Sequence, residues 1–183
     1  NFFYDKHPYL TYTYKRNFYI PKQKLRSNNN SKNLQLFGVK TNSLGFANGI
    51  SGGKEILIPK PLNMLRISCL GASTTAHYLR DRDNILSYPI ALEENLNTKI
   101  KNFNSIEVNN YGIGGWNSAD ILINFILNVY DSKPNIVIVY HAFNDLGISL
   151  TDNFKSDYNH SKLNFSYYYS RFEILSKFKN FKS

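Results

Sequence analysis

The distribution of apolar and polar residues divides the chain near residue 62. Before that point tyrosine and phenylalanine are frequent but follow no sustained helical or strand period, and several prolines interrupt them. Segments without such a period are typical of extended or loop structure. We therefore predict an N-terminal arm over residues 1–62, which packs its aromatic side chains on a domain formed by residues 63–183.

From Met64 onwards, short apolar runs alternate with longer stretches of helical period. The apolar runs predict three strands, near 65–70, 105–109 and 135–140. The stretches between them predict two helices, at about 88–103 and 119–130, with Ser87 and Ser118 as their caps. Strands that alternate with helices favour an open parallel sheet with helices on both faces, which is an α/β fold. We expect the second helix and the third strand to be buried, because both are apolar on most sides.

Composition excludes several classes of protein. The chain has 183 residues, enough for one domain, and contains no apolar run long enough for a transmembrane helix. Its single cysteine, Cys69, excludes an internal disulfide framework and a multi-cysteine zinc site. We predict neither a metal nor a cofactor.

The net charge of +9 is concentrated in the flanks of the chain. Residues 1–40 carry +7 and residues 155–183 carry +4, whereas the middle of the chain is close to neutral. Basic flanks can contact nucleic acid or an anionic membrane surface, but the sequence contains no nucleic-acid-binding motif. We therefore interpret the flanks as solvated lysine-rich segments and predict no nucleic-acid partner.

Polar and small residues follow each of the three predicted strands. Ligands of an open parallel sheet bind beyond the carboxyl ends of its strands, so these residues should converge on one edge. They supply a hydroxyl, a glycine-rich turn and a side-chain amide, in the segments 71–75, 109–117 and 141–145. A nucleophile with backbone and amide donors around it is suited to acyl transfer.

The three segments resemble the sequence blocks of the SGNH, or GDSL-like, hydrolases. The first block is matched by Gly71-Ala72-Ser73-Thr74, where Ala72 replaces the aspartate of the family name. The second is matched by Val108 to Ser118, and the third by Ala142-Phe143-Asn144-Asp145, where Ala142 replaces the usual glycine. The stretch Asn42 to Phe46 also resembles the lead-in of a bacterial subgroup. The resemblance covers roughly residues 40–150.

This resemblance implies a flavodoxin-like three-layer α/β/α fold, with an open parallel sheet, and a serine ester hydrolase that acts through an acyl-enzyme. Ser73 is implied as the nucleophile, and Gly115 N–H, the Asn144 amide and Ser73 N–H as the oxyanion donors. The implied substrate is an ester of a small molecule, a glycan or a lipid. Examples are a lipid ester, an O-acetylated sugar and a cell-envelope polymer. For such bacterial proteins the cell envelope or secretion is favoured over the cytoplasm, with any membrane anchor in segments outside this chain.

The fourth block of the family, Asp-x-x-His, supplies the general base. Asp157-Tyr158-Asn159-His160 fits this pattern, but Asp157 lies only 13 positions after Asn144, which leaves no room for the intervening strands. We interpret the match as a chance occurrence in a loop. Because the sequence also lacks an initiator methionine and a signal-peptide pattern, we expect a fragment or mature chain that ends within its catalytic domain.

Two other functions remain open, an O-acyltransferase of the same fold and a flavodoxin-like binding protein without catalysis. Individual residues also have simpler interpretations. Ser73 and Asn144 can be helix caps, and Gly112, Gly114 and Gly115 can be turn glycines. Packing, structural or surface roles are favoured for Cys69, His77 and Asp145, while Trp116 could wall a pocket or simply pack. His141 could be a substitute base, but a packed or substrate-contacting role is favoured.

Overall fold

The computed structural model describes residues 3–20, 23–24, 35–36, 39–50, 52–76, 79–80, 87–150 and 154–158. The chain forms two compact units, Asn1–His141 and Ala142–Ser183. The first unit contains both the sheet and the segment predicted as an N-terminal arm. The boundary between arm and domain near residue 62 stays a prediction.

A three-stranded parallel sheet lies at the centre of the first unit. Its strands are β1, Met64–Gly71, β2, Ser105–Asn110, and β3, Ile136–Tyr140. They are arranged in the order β3-β1-β2, with β1 between its two parallel partners. Helix α1, Ser73–Ala76, is a single turn after β1. Helices flank the sheet, so the prediction of a mixed α/β fold with a parallel sheet is confirmed.

One face of the sheet carries the apolar core and is covered by helix α2, Tyr88–Lys99. The strand residues on this face alternate with residues that point to the other face, as the pleat of a strand requires. The buried cluster and the helix residues packed against it are Leu65, Ile67, Cys69, Ile106 and Val108 with Tyr88, Leu92, Leu96 and Ile100. Helix α2 ends four residues earlier than predicted, and Ser87 precedes it without a side-chain capping bond.

The predicted second helix begins at Ser118, and its cap is Asn117 rather than Ser118. The Asn117 side chain accepts a hydrogen bond from Asp120 N–H, and the Asp120 carboxylate accepts one from Asn117 N–H, which is a capping box. Helix α3, Ser118–Asn124, continues into a π-helical turn, Phe125–Val129, and a 3-10 turn, Tyr130–Ser132.

Two predictions of burial are wrong. The α3 segment buries only one face, so that Ile121 and Val129 are buried while Leu122 and Ile126 are exposed. Strand β3 is an edge strand whose side chains are mostly exposed, because α2 lies mainly over β1 and β2. A run of apolar residues therefore marked a strand correctly but did not reveal its position at the edge.

The N-terminal segment forms short antiparallel ladders. The described two-residue strands pair Tyr4–Asp5 with Thr13–Tyr14, Tyr19–Ile20 with Val39–Lys40, and Gln35–Leu36 with both Gln23–Lys24 and Leu79–Arg80. Tyr12 and Tyr14 are buried, which agrees with the prediction that the arm packs its aromatic residues. Tyr9 and Tyr19 are more than half exposed, so the prediction is wrong for them.

The second unit is described by one helix and one turn. Helix α4 runs from Phe143 to Ser149, and a turn follows in which Tyr158 N–H donates to Lys155 C=O.

The other face of the sheet holds a buried ion pair. Arg66 on β1 lies opposite Glu107 on β2, and Arg66 Nη2 is 3.0 Å from Glu107 Oε2. Arg66 is fully buried and also donates to the carbonyl oxygens of Ser132 and Leu57. A buried charge is tolerated because it is paired in this way, and removing one partner leaves the other uncompensated.

Arg66→Met should therefore lower the free energy of unfolding by about 3–5 kcal/mol. The matched control is Lys54→Met, which breaks a partly exposed pair between Lys54 Nζ and Glu93 Oε2 at 2.7 Å and should cost less than about 1 kcal/mol. Urea denaturation followed by circular dichroism measures both. Equal losses in the two variants would contradict the importance of the buried pair.

Candidate active site

Ser73 lies directly beyond the carboxyl end of β1. It is the first residue of α1, Ser73–Ala76, a single turn in which Thr75 N–H and Ala76 N–H both donate to Ala72 C=O. Ser73 is exposed, and neither its hydroxyl nor its N–H makes a hydrogen bond to a residue that the structure describes. The hydroxyl is therefore accessible to a ligand.

Gly71 allows the end of β1 to lie very close to Thr75 and to the backbone of β3. A Cβ atom at this position would lie 2.0 Å from Thr75 Oγ1 and 2.6 Å from the carbonyl oxygen of Tyr140, at the end of β3. Only glycine fits such a contact without a shift of the backbone. The turn that carries Ser73 is thus held tightly against the carboxyl edge of the sheet.

Gly112 brings the loop after β2 against the same turn. A Cβ atom at Gly112 would lie 2.5 Å from the backbone nitrogen of Ala76. Two hydrogen bonds join the same segments, from Asn110 Nδ2 to Thr75 C=O at 2.9 Å and from Ile113 N–H to Gly71 C=O at 3.3 Å. The structure therefore places the first and second predicted segments next to each other at one edge of the sheet.

Gly115 lies in a tight turn that follows this contact. Trp116 N–H donates to Ile113 C=O, and Gly115, the third residue of the turn, has a φ of 86°. Position three of a type II turn requires this left-handed conformation, which favours glycine. Gly115 N–H donates to no acceptor among the residues that the structure describes.

The N-terminal segment holds this turn through its hydrogen bonds. The Tyr12 hydroxyl donates to Gly114 C=O, and Gly114 N–H donates to the Tyr14 hydroxyl at 3.2 Å. Trp116 Nε1 donates to Tyr12 C=O at 2.9 Å. Trp116 is fully buried, which supports packing rather than a pocket wall.

The same segment also reaches α3. Thr11 N–H and the Thr11 hydroxyl both donate to the Asp120 carboxylate, at 2.8 and 2.9 Å. Sequence reasoning did not identify these contacts. Their only signal was the high frequency of aromatic residues in the segment, which does not specify partners about a hundred positions away.

A second segment before β1 supports the loop from another side. The Asn42 side chain accepts hydrogen bonds from Leu44 N–H and Phe46 N–H, which closes the turn predicted as a lead-in. The Phe46 ring then packs edge-on against the rings of Tyr111 and Trp116, with centroids 5.0 and 6.3 Å away. This turn thus contributes to the packing around the candidate site.

Asn144 and Asp145 lie on α4 in the second unit, where Asp145 N–H donates to Ala142 C=O. Ser73 and Gly115 belong to the first unit, so their convergence with Asn144 stays a prediction. His141 is half-buried directly after β3.

The Asp157–His160 pair is only partly described. Asp157 is exposed in the turn near residue 157, while His160 lies outside the described residues, as does His77. Among the described residues, Ser73 Oγ makes no hydrogen bond to a histidine or a carboxylate.

Cys69 is a core thiol, as predicted. Its side chain is fully buried in β1, and burial raises the pKa of the thiol to about 11. Because the raised pKa keeps the thiol protonated near neutral pH, Cys69 is not an activated nucleophile.

A comparison of the chain with protein-family models, with curated proteins and with solved structures finds no match in any of the three. In the described part of the chain, no three His, Cys, Asp or Glu side chains are grouped so that they could hold a metal ion. None of the described helices has the length and apolar character that crossing a membrane requires.

The close contact at Gly112 can be tested by substitution. Gly112→Ala should lower the free energy of unfolding by about 1–3 kcal/mol, because the new methyl group overlaps backbone atoms. Gly53→Ala is the matched control, since its Cβ would meet only the Lys40 side chain, at 3.3 Å, and should cost less. Chemical denaturation measures both variants, and a Gly112 variant as stable as the control would argue against the close contact.

Proposed function

We propose that this chain is a serine ester hydrolase of the SGNH type, acting through an acyl-enzyme on a small-molecule, glycan or lipid ester. One observation carries the proposal. The exposed hydroxyl of Ser73 and the available N–H of Gly115 lie on two segments that are joined at the carboxyl edge of a parallel sheet. A nucleophile and a backbone donor on adjoining segments are two of the groups that acyl transfer requires, and the third is a base.

The strand order supports the finer assignment of the fold. Strand β1 lies between β2 and β3, so the chain leaves β1 towards one side of the sheet and later returns to the other. Ligands bind at such a switch point in flavodoxin-like sheets, between the first and third strands. Ser73 comes two positions after Gly71, the last residue of β1, which is where a three-layer α/β/α fold would place a reactive residue.

In the proposed reaction, Ser73 Oγ attacks the ester carbonyl carbon while a base accepts the hydroxyl proton. The carbonyl oxygen becomes an oxyanion, which Gly115 N–H and Ser73 N–H stabilise by hydrogen bonds, and the family resemblance adds the Asn144 amide as a third proposed donor. Collapse of this intermediate breaks the bond to the alcohol, which leaves with a proton. Water then attacks the acyl-Ser73 ester, releases the carboxylic acid and restores the serine.

A binding protein without catalysis is the second candidate. It is favoured by one observation, that no base among the described residues contacts Ser73 Oγ. A serine hydroxyl without a base is a weak nucleophile. The two functions therefore differ in whether Ser73 reacts when a base is present.

Hydrolysis of p-nitrophenyl acetate by the chain, with and without added imidazole, distinguishes these functions. Imidazole is small enough to act as the base at an exposed serine. Imidazole also hydrolyses this ester without protein, so that rate is measured separately and subtracted. We expect little hydrolysis by the chain alone, and an additional rate in imidazole that depends on Ser73 and is lost in Ser73→Ala. Loss of the serine should lower the rate at least about 10³-fold where a base is in place.

Thr74→Ala is the matched control, because it removes the neighbouring exposed hydroxyl and should keep the activity. Equal rates for the native chain and Ser73→Ala, both with and without imidazole, would exclude the serine mechanism and favour the binding protein.

A further inference from the structure

The peptide unit that joins Gly114 to Gly115 accepts a hydrogen bond at its carbonyl oxygen. The Tyr12 hydroxyl donates to Gly114 C=O, which belongs to the same amide as Gly115 N–H. In a trans peptide these two groups point in opposite directions. A donor on the carbonyl side therefore fixes the direction in which the N–H points.

We propose that Tyr12 is a positioning residue, which orients and polarises Gly115 N–H as an oxyanion donor. This inference rests on the proposed hydrolase function and extends it to a residue more than 100 positions away in the sequence. Tyr12 acts through the peptide and does not touch the ester.

The Tyr12 hydroxyl is itself held in place. Tyr12 is 3% exposed, its carbonyl oxygen accepts a hydrogen bond from Trp116 Nε1, and its ring lies 4.6 Å from the ring of Tyr4. The hydroxyl therefore reaches the turn from a rigid, buried position rather than from a mobile surface side chain.

The adjacent residues Gly114 and Gly115 need hydrogen bonds from other segments to fix their backbone conformation. Neither Gly114 nor Gly115 has a side chain that packing could hold, and glycine adopts many backbone conformations at similar energy. Tyr14 fixes the preceding peptide by accepting a hydrogen bond from Gly114 N–H. Tyr12 and Tyr14 thus restrain two successive peptide planes from the side of the N-terminal segment.

The Tyr12 hydrogen bond also changes the strength of the donor. When a carbonyl accepts a hydrogen bond, its amide becomes more polarised, and the N–H on the same amide becomes a better donor by roughly 10–30%. The effect matters most at a group that stabilises developing negative charge. Tyr12 therefore increases the ability of Gly115 N–H to stabilise an oxyanion.

Tyr12→Phe tests the inference, because it keeps the ring and removes only the hydroxyl. In the amide NMR spectrum of the chain, we expect the Gly115 proton resonance to move upfield, since its amide loses polarisation. Tyr14→Phe should affect the Gly114 resonance first, and Tyr9→Phe, which changes an exposed hydroxyl, should affect neither. The same spectra show whether each variant is folded.

Activity supplies the second readout. For hydrolysis of p-nitrophenyl acetate in imidazole, after the rate of imidazole without protein is subtracted, Tyr12→Phe should lower kcat about tenfold with little change in KM. This loss is smaller than that expected when an oxyanion donor itself is removed. An unchanged Gly115 resonance in folded Tyr12→Phe would overturn the inference, as would an unchanged kcat in a chain whose activity depends on Ser73.

The two readouts separate this inference from the function on which it rests. Ser73→Ala with undiminished hydrolysis would overturn the hydrolase proposal, and with it the catalytic role of Tyr12. A Ser73-dependent activity that Tyr12→Phe leaves intact would overturn only the inference.

Discussion

The close approach of backbone segments at the end of β1 is the constraint on which the candidate site depends. At Gly71 and Gly112, neighbouring backbone atoms occupy the space that a side chain would need. This approach lets Asn110 reach the Thr75 carbonyl and places the loop after β2 against the turn that begins with Ser73. Without these two glycines, a nucleophile and a backbone donor could not lie on segments in direct contact.

The loop after β2 is also fixed by segments that precede the sheet in the sequence. Asn48 exchanges hydrogen bonds with the end of β2, as its side chain accepts from Asn110 N–H and donates to Asn109 Oδ1. Tyr12, Tyr14 and Thr11 bind the turn and the start of α3 from the other side. Because these polar groups are buried or partly buried, leaving any of them without a partner would be costly. The N-terminal segment is therefore part of the site's scaffold.

The sequence predicted those features that depend on local patterns. Short apolar runs located all three strands, and their alternation with helices predicted a parallel sheet, since each crossover needs a helix. The glycines after β2 were recognisable as turn residues. The end of α2 and the capping of α3 by Asn117 rather than Ser118 were missed, because neighbouring polar residues compete for the same capping role.

Features that depend on distant parts of the chain could not be predicted. The apolar run of β3 does not say whether α2 extends over it, so its exposure was missed. Arg66 lies within an apolar strand, and only the register of β1 against β2 brings it opposite Glu107. The contact between Tyr12 and Gly114 likewise follows from tertiary packing. Non-local hydrogen bonds of this kind leave no periodic signal in a sequence.

The most direct test of the account is a search for an acyl-enzyme on Ser73. The chain is mixed with p-nitrophenyl acetate and imidazole, quenched in acid within the first turnover, and analysed by intact mass spectrometry and peptide mapping. The account predicts an added mass of one acetyl group on the peptide that contains Ser73, and its absence from that peptide in Ser73→Ala. Acetylation confined to lysines, or an identical labelling pattern in Ser73→Ala, would contradict it.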